Sequence, residues 1–147
     1  MTHWIRRAAT AAALALVSLG LATPAHAADA MVSVLHAVPG ATVDVYANGE
    51  ELLTDFEPGT LTDPVALPEG EYDLLVVAAG DGPDGDPVIE ANGVAVPGGA
   101  NITVAAHLDG DGNPVLTPFV NDTSAIAAGQ ARLTVRHTAA APAVDVR

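Results

Sequence analysis

The fold is decided by the stretch at residues 30–46, which reads AMVSVLHAVPGATVDVY. It holds two short runs of Val and Leu on either side of a Pro-Gly turn, and in each run apolar residues alternate with other residues. Alternation with a period of two is typical of a β-strand that turns one face to a core. The stretch therefore predicts two strands joined by a turn.

The same pattern continues to residue 120, broken by turn residues at intervals of about ten. Asn48-Gly49 predicts a type I′ hairpin turn, because both residues tolerate a positive φ. No helix is predicted after the first 27 residues. Short strands at this spacing are typical of an all-β sandwich. The predicted runs are residues 31–37, 42–47, 51–56, 61–67, 71–79, 88–96, 101–108 and 115–120.

The alternation also assigns side chains to the faces of the sheets. Asp44 is expected to point outward, away from the core. Leu75 and Val77 are apolar on the outer side of their strand, so that strand is predicted to be central or covered. The residues expected to face the core are Val32, Val34, His36, Val43, Val45, Tyr72, Leu74, Val76, Ala78, Ile102, Val104, Ala106 and Leu108.

The chain ends on a second version of its opening stretch, ARLTVRHTAAAPAVDVR at residues 131–147. At a constant offset of 101 residues, His137 matches His36 and Asp145 matches Asp44. If residues 131–147 were only a last strand of the same domain, apolar alternation would be enough. Instead the strand, the histidine, the turn and Val-Asp-Val all recur at the same spacing. We predict that residues 131–147 are the truncated start of a second copy, docked loosely on the first domain or disordered.

These motifs resemble a known family. V-L-H-A-V-P-G-A-T-V-D-V-Y at residues 34–46, L-P-E-G-E-Y at 67–72, T-V-A-A-H-L-D at 103–109 and the restart near the end are similar to the secreted repeat domains of the domain-of-unknown-function family numbered 4397. The resemblance implies a tandem immunoglobulin-like or transthyretin-like antiparallel β-sandwich in an exported bacterial protein. It implies no catalytic residues.

The first 27 residues predict export. Arg6 and Arg7 precede an apolar run and an A-x-A site, the pattern of a secretory signal peptide. The apolar run of about 15 residues is shorter than the ~20 that a transmembrane helix needs. Cleavage between Ala27 and Ala28 by the general secretory route would send the chain out of the cell or to its envelope, with no membrane insertion afterwards.

The predicted organisation is a signal peptide at residues 1–27, a β-sandwich domain at 28–122, a linker at 123–130 and the start of the second copy at 131–147. The chain has no cysteine. The core is therefore expected to hold by apolar burial alone, without a disulfide.

The charge is strongly acidic, with 18 Asp and Glu against 5 Lys and Arg and a formal net charge of −13. Between Ala28 and Gln130 there is no Lys or Arg. Such a surface repels nucleic acid and anionic lipid, and it favours cations, basic protein surfaces or cell-wall components as partners. A following repeat of the same chain is a further expected partner.

Four residues are assigned structural roles: His36, Asp44, His137 and Asp145. A histidine at the inward end of a strand, just before a turn, more often binds a backbone carbonyl or amide than a metal or a substrate. Metal ligation and catalysis are the alternatives for this histidine.

Two acidic loops are the candidates for a metal site. Residues 109–113 begin like a calcium loop, D-x-D-x-N, but Pro114 and Val120 stand where an EF-hand has Gly and Glu. A hairpin turn with local Asp and Asn bonds is the favoured interpretation, and weak calcium binding is the alternative. The candidate calcium ligands are Asp109, Asp111, Asn113, Asp81, Asp84 and Asp86.

A nucleophilic enzyme is not indicated, because neither Ser33 nor Ser124 lies in a Gly-x-Ser-x-Gly turn. The sequence favours an exported non-enzymatic module without a cofactor, in a structural, spacer or recognition role. A calcium-dependent adhesion or ligand-binding module is the first alternative. A carboxylate-based hydrolase is the second, disfavoured because few aromatic residues are available for a sugar site.

Overall fold

A computed structural model describes residues 28–145 of the chain. The predicted signal peptide at residues 1–27, with Ala27 of its cleavage site, lies outside the described residues, as do Val146 and Arg147. The described part forms an all-β structure, as the alternation predicts. Its strands are β1 (Ala30–His36), β2 (Val43–Ala47), β3 (Glu50–Phe56), β4 (Val65–Leu67), β5 (Gly70–Ala78), β6 (Pro87–Val96), β7 (Asn101–Leu108) and β8 (Pro114–Val120).

The strands form two four-stranded sheets that pack face to face. Sheet A has the order β4-β1-β7-β8, and sheet B has the order β3-β2-β5-β6. Within residues 28–145 no helix has the length and apolarity needed to cross a membrane.

The expectation of purely antiparallel pairing is wrong at one place. β1 and β7 pair in parallel, from Met31 opposite Asn101 to His36 opposite Ala106. Strands joined by a tight turn must run antiparallel, but all of sheet B lies between β1 and β7 in the sequence. That connection is long enough to bring β7 back in the direction of β1. Sheet A is therefore mixed.

The core lies between the sheets and is built from the residues that the alternation assigns to it. Val34 and Ala106 of sheet A pack with Val43, Val45 and Val76 of sheet B. A second cluster holds Val32, Ile102 and Val104 against Val96. Burial of each such side chain contributes about 1.5–3 kcal/mol, which is the main source of stability in a chain without disulfides.

The predicted hairpin turn and the predicted central strand are both present. Asn48 and Gly49 have φ values of 52° and 80°, as a type I′ turn requires. β5 lies between β2 and β6, and Val77 on its outer side is fully buried. The cross-strand partner of Val77 on β2 is Asp44, which is also buried.

One strand is shorter than predicted. β4 covers only Val65–Leu67, and Leu61 makes an isolated bridge to Leu35. Pro64 interrupts the predicted run at 61–67 because it has no N–H to donate to a ladder.

The two ends of sheet A, here called the entry end and the far end, hold different parts of the chain. The entry end holds the start of β1 and the end of β8, since Ile102 lies opposite Val120. The far end holds His36 and the β7–β8 turn after Leu108. The sandwich thus begins and completes its last strand at the same end.

Candidate functional site

His36 holds the turn between β1 and β2. Its side chain is 2% exposed, and Nε2 lies 2.8 Å from the carbonyl oxygen of Ala41. Since a carbonyl only accepts, Nε2 carries the proton and donates. The ring lies 5.5 Å from that of Phe56, and among residues 28–145 Nδ1 has no hydrogen-bond partner. The imidazole is thus enclosed in the core, with its one donor used by the chain itself.

Asp44 is on the outer side of β2, as predicted, but it is not solvated. Its side chain is 5% exposed. Oδ1 accepts a hydrogen bond from the N–H of Asp55 at 2.9 Å, and Oδ2 accepts one from the N–H of Gly80 at 2.8 Å. Asp55 has a φ of 49°, a left-handed conformation that few residues adopt without support. Asp44 therefore lies on the outward side of β2, as the alternation predicts, and its carboxylate fixes two loops to that strand.

The space between the sheets is small and apolar. It contains a cavity of about 40 Å³, lined by residues of both sheets that include Val34, Val45 and Val104 as well as His36. Small-molecule sites usually have volumes of about 300–1,000 Å³. This cavity is therefore well below the usual size of a small-molecule site.

The loop at Asp109 forms a hairpin turn in which the carboxylate accepts local hydrogen bonds. Oδ1 accepts the N–H groups of Asp111 and Asn113, each at 2.9 Å. These bonds, led by the one from Asn113, lower the pKa of Asp109. The side-chain amide of Asn113 also donates to this carboxylate, at 3.3 Å to Oδ2.

The second acidic loop joins β5 to β6 and contains the other three calcium candidates, Asp81, Asp84 and Asp86. All three are exposed. Within residues 28–145 no group of three or more His, Asp or Glu side chains is arranged to hold a metal ion. Calcium binding by either loop stays a prediction.

Ser33 and Ser124 lie apart from these groups. Ser33 is half-buried in the middle of β1, and Ser124 follows the last strand. Oγ of Ser124 accepts a hydrogen bond from Arg132 at 3.1 Å.

Residues 131–138, here called the C-terminal strap, lie across the outer face of sheet A without joining its ladder. Arg132 anchors the strap at the entry end. Its guanidinium donates to the carbonyls of Asp122 and Ser124 at 2.9 and 3.0 Å, and it pairs with the Asp122 carboxylate at 3.2 Å. Ser124 donors and the charge of Arg132 lower the pKa of Asp122.

Arg136 is the second anchor of the strap. Its guanidinium lies 4.6 Å above the ring of Phe119 and donates to Oδ1 of Asn121 at 2.6 Å. The Asn121 amide is itself held, since it donates to Oδ1 of Asn101 at 2.7 Å and to Oγ1 of Thr103 at 3.0 Å. Arg136 therefore binds a positioned acceptor and an aromatic face at once.

The strap runs from the entry end to the far end. Thr134 and Arg136 line a cleft of about 240 Å³ together with Leu35 and Ala105 of sheet A. Further along, Thr138 lies near Leu108 at the far end. The strap therefore runs in the same direction as β1, the strand whose sequence it repeats.

The repeated histidine makes the same local bond in both places. His137 Nε2 lies 3.1 Å from the carbonyl oxygen of Pro142, five residues on, as Ala41 is five residues after His36. His137 is exposed, and so is Asp145. The histidine turn thus forms even where no sheet surrounds it.

The family model of the domain of unknown function DUF4397 matches residues 30–147. The chain belongs to this family. The DUF4397 match extends past β8 and includes the strap. No curated protein matches the chain.

The acidic residues of this DUF4397 domain are divided unequally between its sheets. The strands of sheet A contain no Asp or Glu. Sheet A therefore presents an uncharged outer face to the strap, whereas the outer face of sheet B is acidic. The acidic residues in the strands of sheet B are Asp44, Glu50, Glu51, Asp55, Glu71, Asp73 and Glu90.

The sequence did not single out Phe119 or Asn121, which form the seat for Arg136. A signal for a docked strap was present nonetheless. At the offset of 101 residues, Arg132 and Arg136 replace Met31 and Leu35, which lie on the outward side of β1.

Proposed function

We propose that this chain is an exported, non-enzymatic β-sandwich module that repeats along a protein. It serves as a structural spacer or a recognition unit at or outside the cell envelope. One observation carries the proposal: the two buried polar side chains, His36 and Asp44, both bind backbone groups of the chain's own turns. A general acid or base has to come within hydrogen-bond reach of a substrate, and these enclosed groups do not.

The division of charge supports the recognition role. Glu71, Asp73 and Glu90 belong to the outer side of sheet B and are exposed. An acidic face attracts cations and basic surfaces and repels nucleic acid and anionic lipid. A basic protein surface or a cationic component of the cell wall is the kind of partner that this face suits.

The turn at Asp109 bears on the calcium alternative. A calcium ion needs six to eight oxygen ligands, and this carboxylate already accepts N–H groups from Asp111 and Asn113. Calorimetry with calcium on the chain and on an Asp109→Asn variant distinguishes a simple hairpin turn from a calcium site. We expect no heat from either protein. Binding heat that disappears in the variant would favour a calcium-dependent module.

Two measurements test the main proposal. Expression in a bacterial host with a C-terminal epitope should yield protein outside the cytoplasm with Ala28 as its first residue. Retention in the cytoplasm with Arg6 and Arg7 still present would contradict export.

The second measurement uses chromogenic ester, glycoside and peptide substrates, with an Asp44→Asn/His36→Gln variant as the control. We expect no turnover by either protein. Turnover by the chain that a single carboxylate substitution abolishes would replace the proposal with a hydrolase.

A further inference from the structure

We infer that a second copy of the domain packs back to back on this one through the outer face of sheet A, and that Arg132 and Arg136 fix its orientation. The inference rests on the proposed function, because it takes residues 131–145 as the first strand and the start of the second strand of that second copy. Beyond the proposed function, it says which surface of the first domain the second copy contacts, which of its own faces the second copy uses and in which direction its strands run.

The first support for this packing is that the strap exposes apolar side chains to solvent. Leu133 and Val135 are 85% and 60% exposed. They match Val32 and Val34, which face the core of the first domain. A domain that uses the strap as its first strand therefore builds its core on the side away from sheet A.

The second support is that the polar side chains of the strap face sheet A. Thr134, Arg136 and Thr138 line the cleft over sheet A. Thr134 and Arg136 match Ser33 and Leu35, which lie on the outward side of β1. The outer face of the second domain's first sheet thus already touches the outer face of sheet A, which is a back-to-back contact.

Charge favours the same arrangement. Two acidic domains repel each other through their outer sheet B faces, whereas the strands of sheet A carry no Asp or Glu. The strap brings Arg132 and Arg136 to the contact, where they bind Asp122 and Asn121. The contact therefore joins the uncharged faces and adds positive charge between the two acidic bodies.

The direction of the strap sets the relative orientation of the domains. Because the strap runs parallel to β1, the entry ends of both domains lie on the same side. Rotation by about half a turn around an axis along the strands relates one domain to the other, since their outer faces meet while their strands keep one direction.

The first experiment tests whether the strap is docked. The chain has no cysteine, so spin labels can be placed at Gly110→Cys and Ala140→Cys, both at the far end. A Cβ at Gly110 meets no atom within 4 Å. We expect one narrow, short distance between the labels in pulsed dipolar spectroscopy. Arg132→Gln with Arg136→Gln should broaden and lengthen it, and the control Leu133→Ser should not.

The second experiment tests the partner, with residues 46–130 of the first copy appended after Val146. Labels at Glu90 and at its repeat mark the two outer sheet B faces. Four sheets stacked at about 10 Å intervals place these faces about 30 Å apart or more, at a single distance. The two arginine substitutions should broaden that distribution.

The outcomes separate the inference from the proposed function. A second copy that folds, seen as a doubled unfolding signal, but shows a broad distance distribution overturns the back-to-back packing and leaves the repeat module standing. A second copy that fails to fold overturns the repeat itself. A broad distance between Gly110 and Ala140 labels in the unextended chain overturns the anchoring.

Discussion

Residues 30–44 and residues 131–145 carry the same sequence pattern in two different surroundings. Both form the histidine turn, with Nε2 to carbonyl distances of 2.8 Å and 3.1 Å. Only the first copy forms strands, because β1 lies between β4 and β7. The histidine bond is therefore set by the local sequence, whereas the strand is set by its neighbours.

This comparison offers a matched control for each buried residue of the first copy, 101 residues further on. If the contribution of a residue to stability depends on the strands around it, a substitution in residues 30–44 should destabilise the domain. The same substitution in residues 131–145 should not. We expect the effects of the substitutions to decrease from Asp44 through His36 and Val34 to Asn121.

Asp44→Ala should have the largest effect. It removes the acceptor for the N–H groups of Asp55 and Gly80, and we expect a loss of about 3 kcal/mol because hydrogen bonds to charged groups are strong and lone donors are costly. Asp145→Ala should leave stability unchanged. Urea denaturation of both variants measures the difference, and equal stabilities would break the comparison.

His36→Gln should lower the free energy of unfolding by about 2 kcal/mol, through loss of the ring packed against Phe56 and a poorer bond to the Ala41 carbonyl. His137→Gln should change it by less than about 0.5 kcal/mol, as is usual for exposed positions. Thermal unfolding followed by circular dichroism checks both. A stable His36→Gln protein would show that the histidine has a role other than holding the turn.

Val34→Ala should cost about 1.5 kcal/mol, the loss of two buried methyl groups. Val135→Ala should cost nothing, because that side chain is 60% exposed. A measurable loss in Val135→Ala would mean that the strap belongs to the folding unit of the first domain.

Asn121→Ala should loosen the strap by about 1 kcal/mol, since it removes the acceptor of Arg136. Trypsin reports this directly, because between Ala28 and Gln130 the chain has no Lys or Arg. Cleavage after Arg132 and Arg136, followed by mass spectrometry, should be severalfold faster than in the original chain. The control Asn113→Ala, in a far-end turn, should leave the rate unchanged.

Acid should release the strap with the smallest effect of the series. Ser124 and Arg132 lower the pKa of Asp122, so its contribution is present above the unfolded pKa of about 4 and is lost as pH falls through the folded value. The distance between labels at Gly110 and Ala140 should therefore broaden below about pH 4. Asp122→Asn should weaken this response, and an identical response in the variant would exclude Asp122 as its source.

Much of the fold could be predicted because period-two alternation is a local signal. It located all the strands and the inward faces of β1, β5 and β7, and Asn48-Gly49 located a hairpin. The parallel pairing of β1 with β7 could not be predicted, because alternation identifies a face and not a neighbour. The short β4 was readable in principle from Pro64.

The site residues divide in the same way. His36 could be assigned to a turn because its acceptor is five residues away. The burial of Asp44 could not be predicted from the sequence. It depends on Gly80, which is distant in sequence and reaches β2 only when β5 has paired with it. The roles of Phe119 and Asn121 could not be predicted either, because each contacts Arg136 only when the strap lies over sheet A.

The parallel pairing of β1 with β7 also bears on the order of folding. β1 is synthesised first but its central partner is the seventh strand, so sheet A cannot close until residues 101–108 have been made, and such distant pairings fold slowly. Sheet B, built from nearer neighbours, can form earlier. Residues 131–137 share the apolar alternation of β1 but pair with no strand. The contacts of Arg132 with Asp122 and of Arg136 with Phe119 and Asn121 keep these residues on the outside of sheet A, away from the place that β1 occupies beside β7.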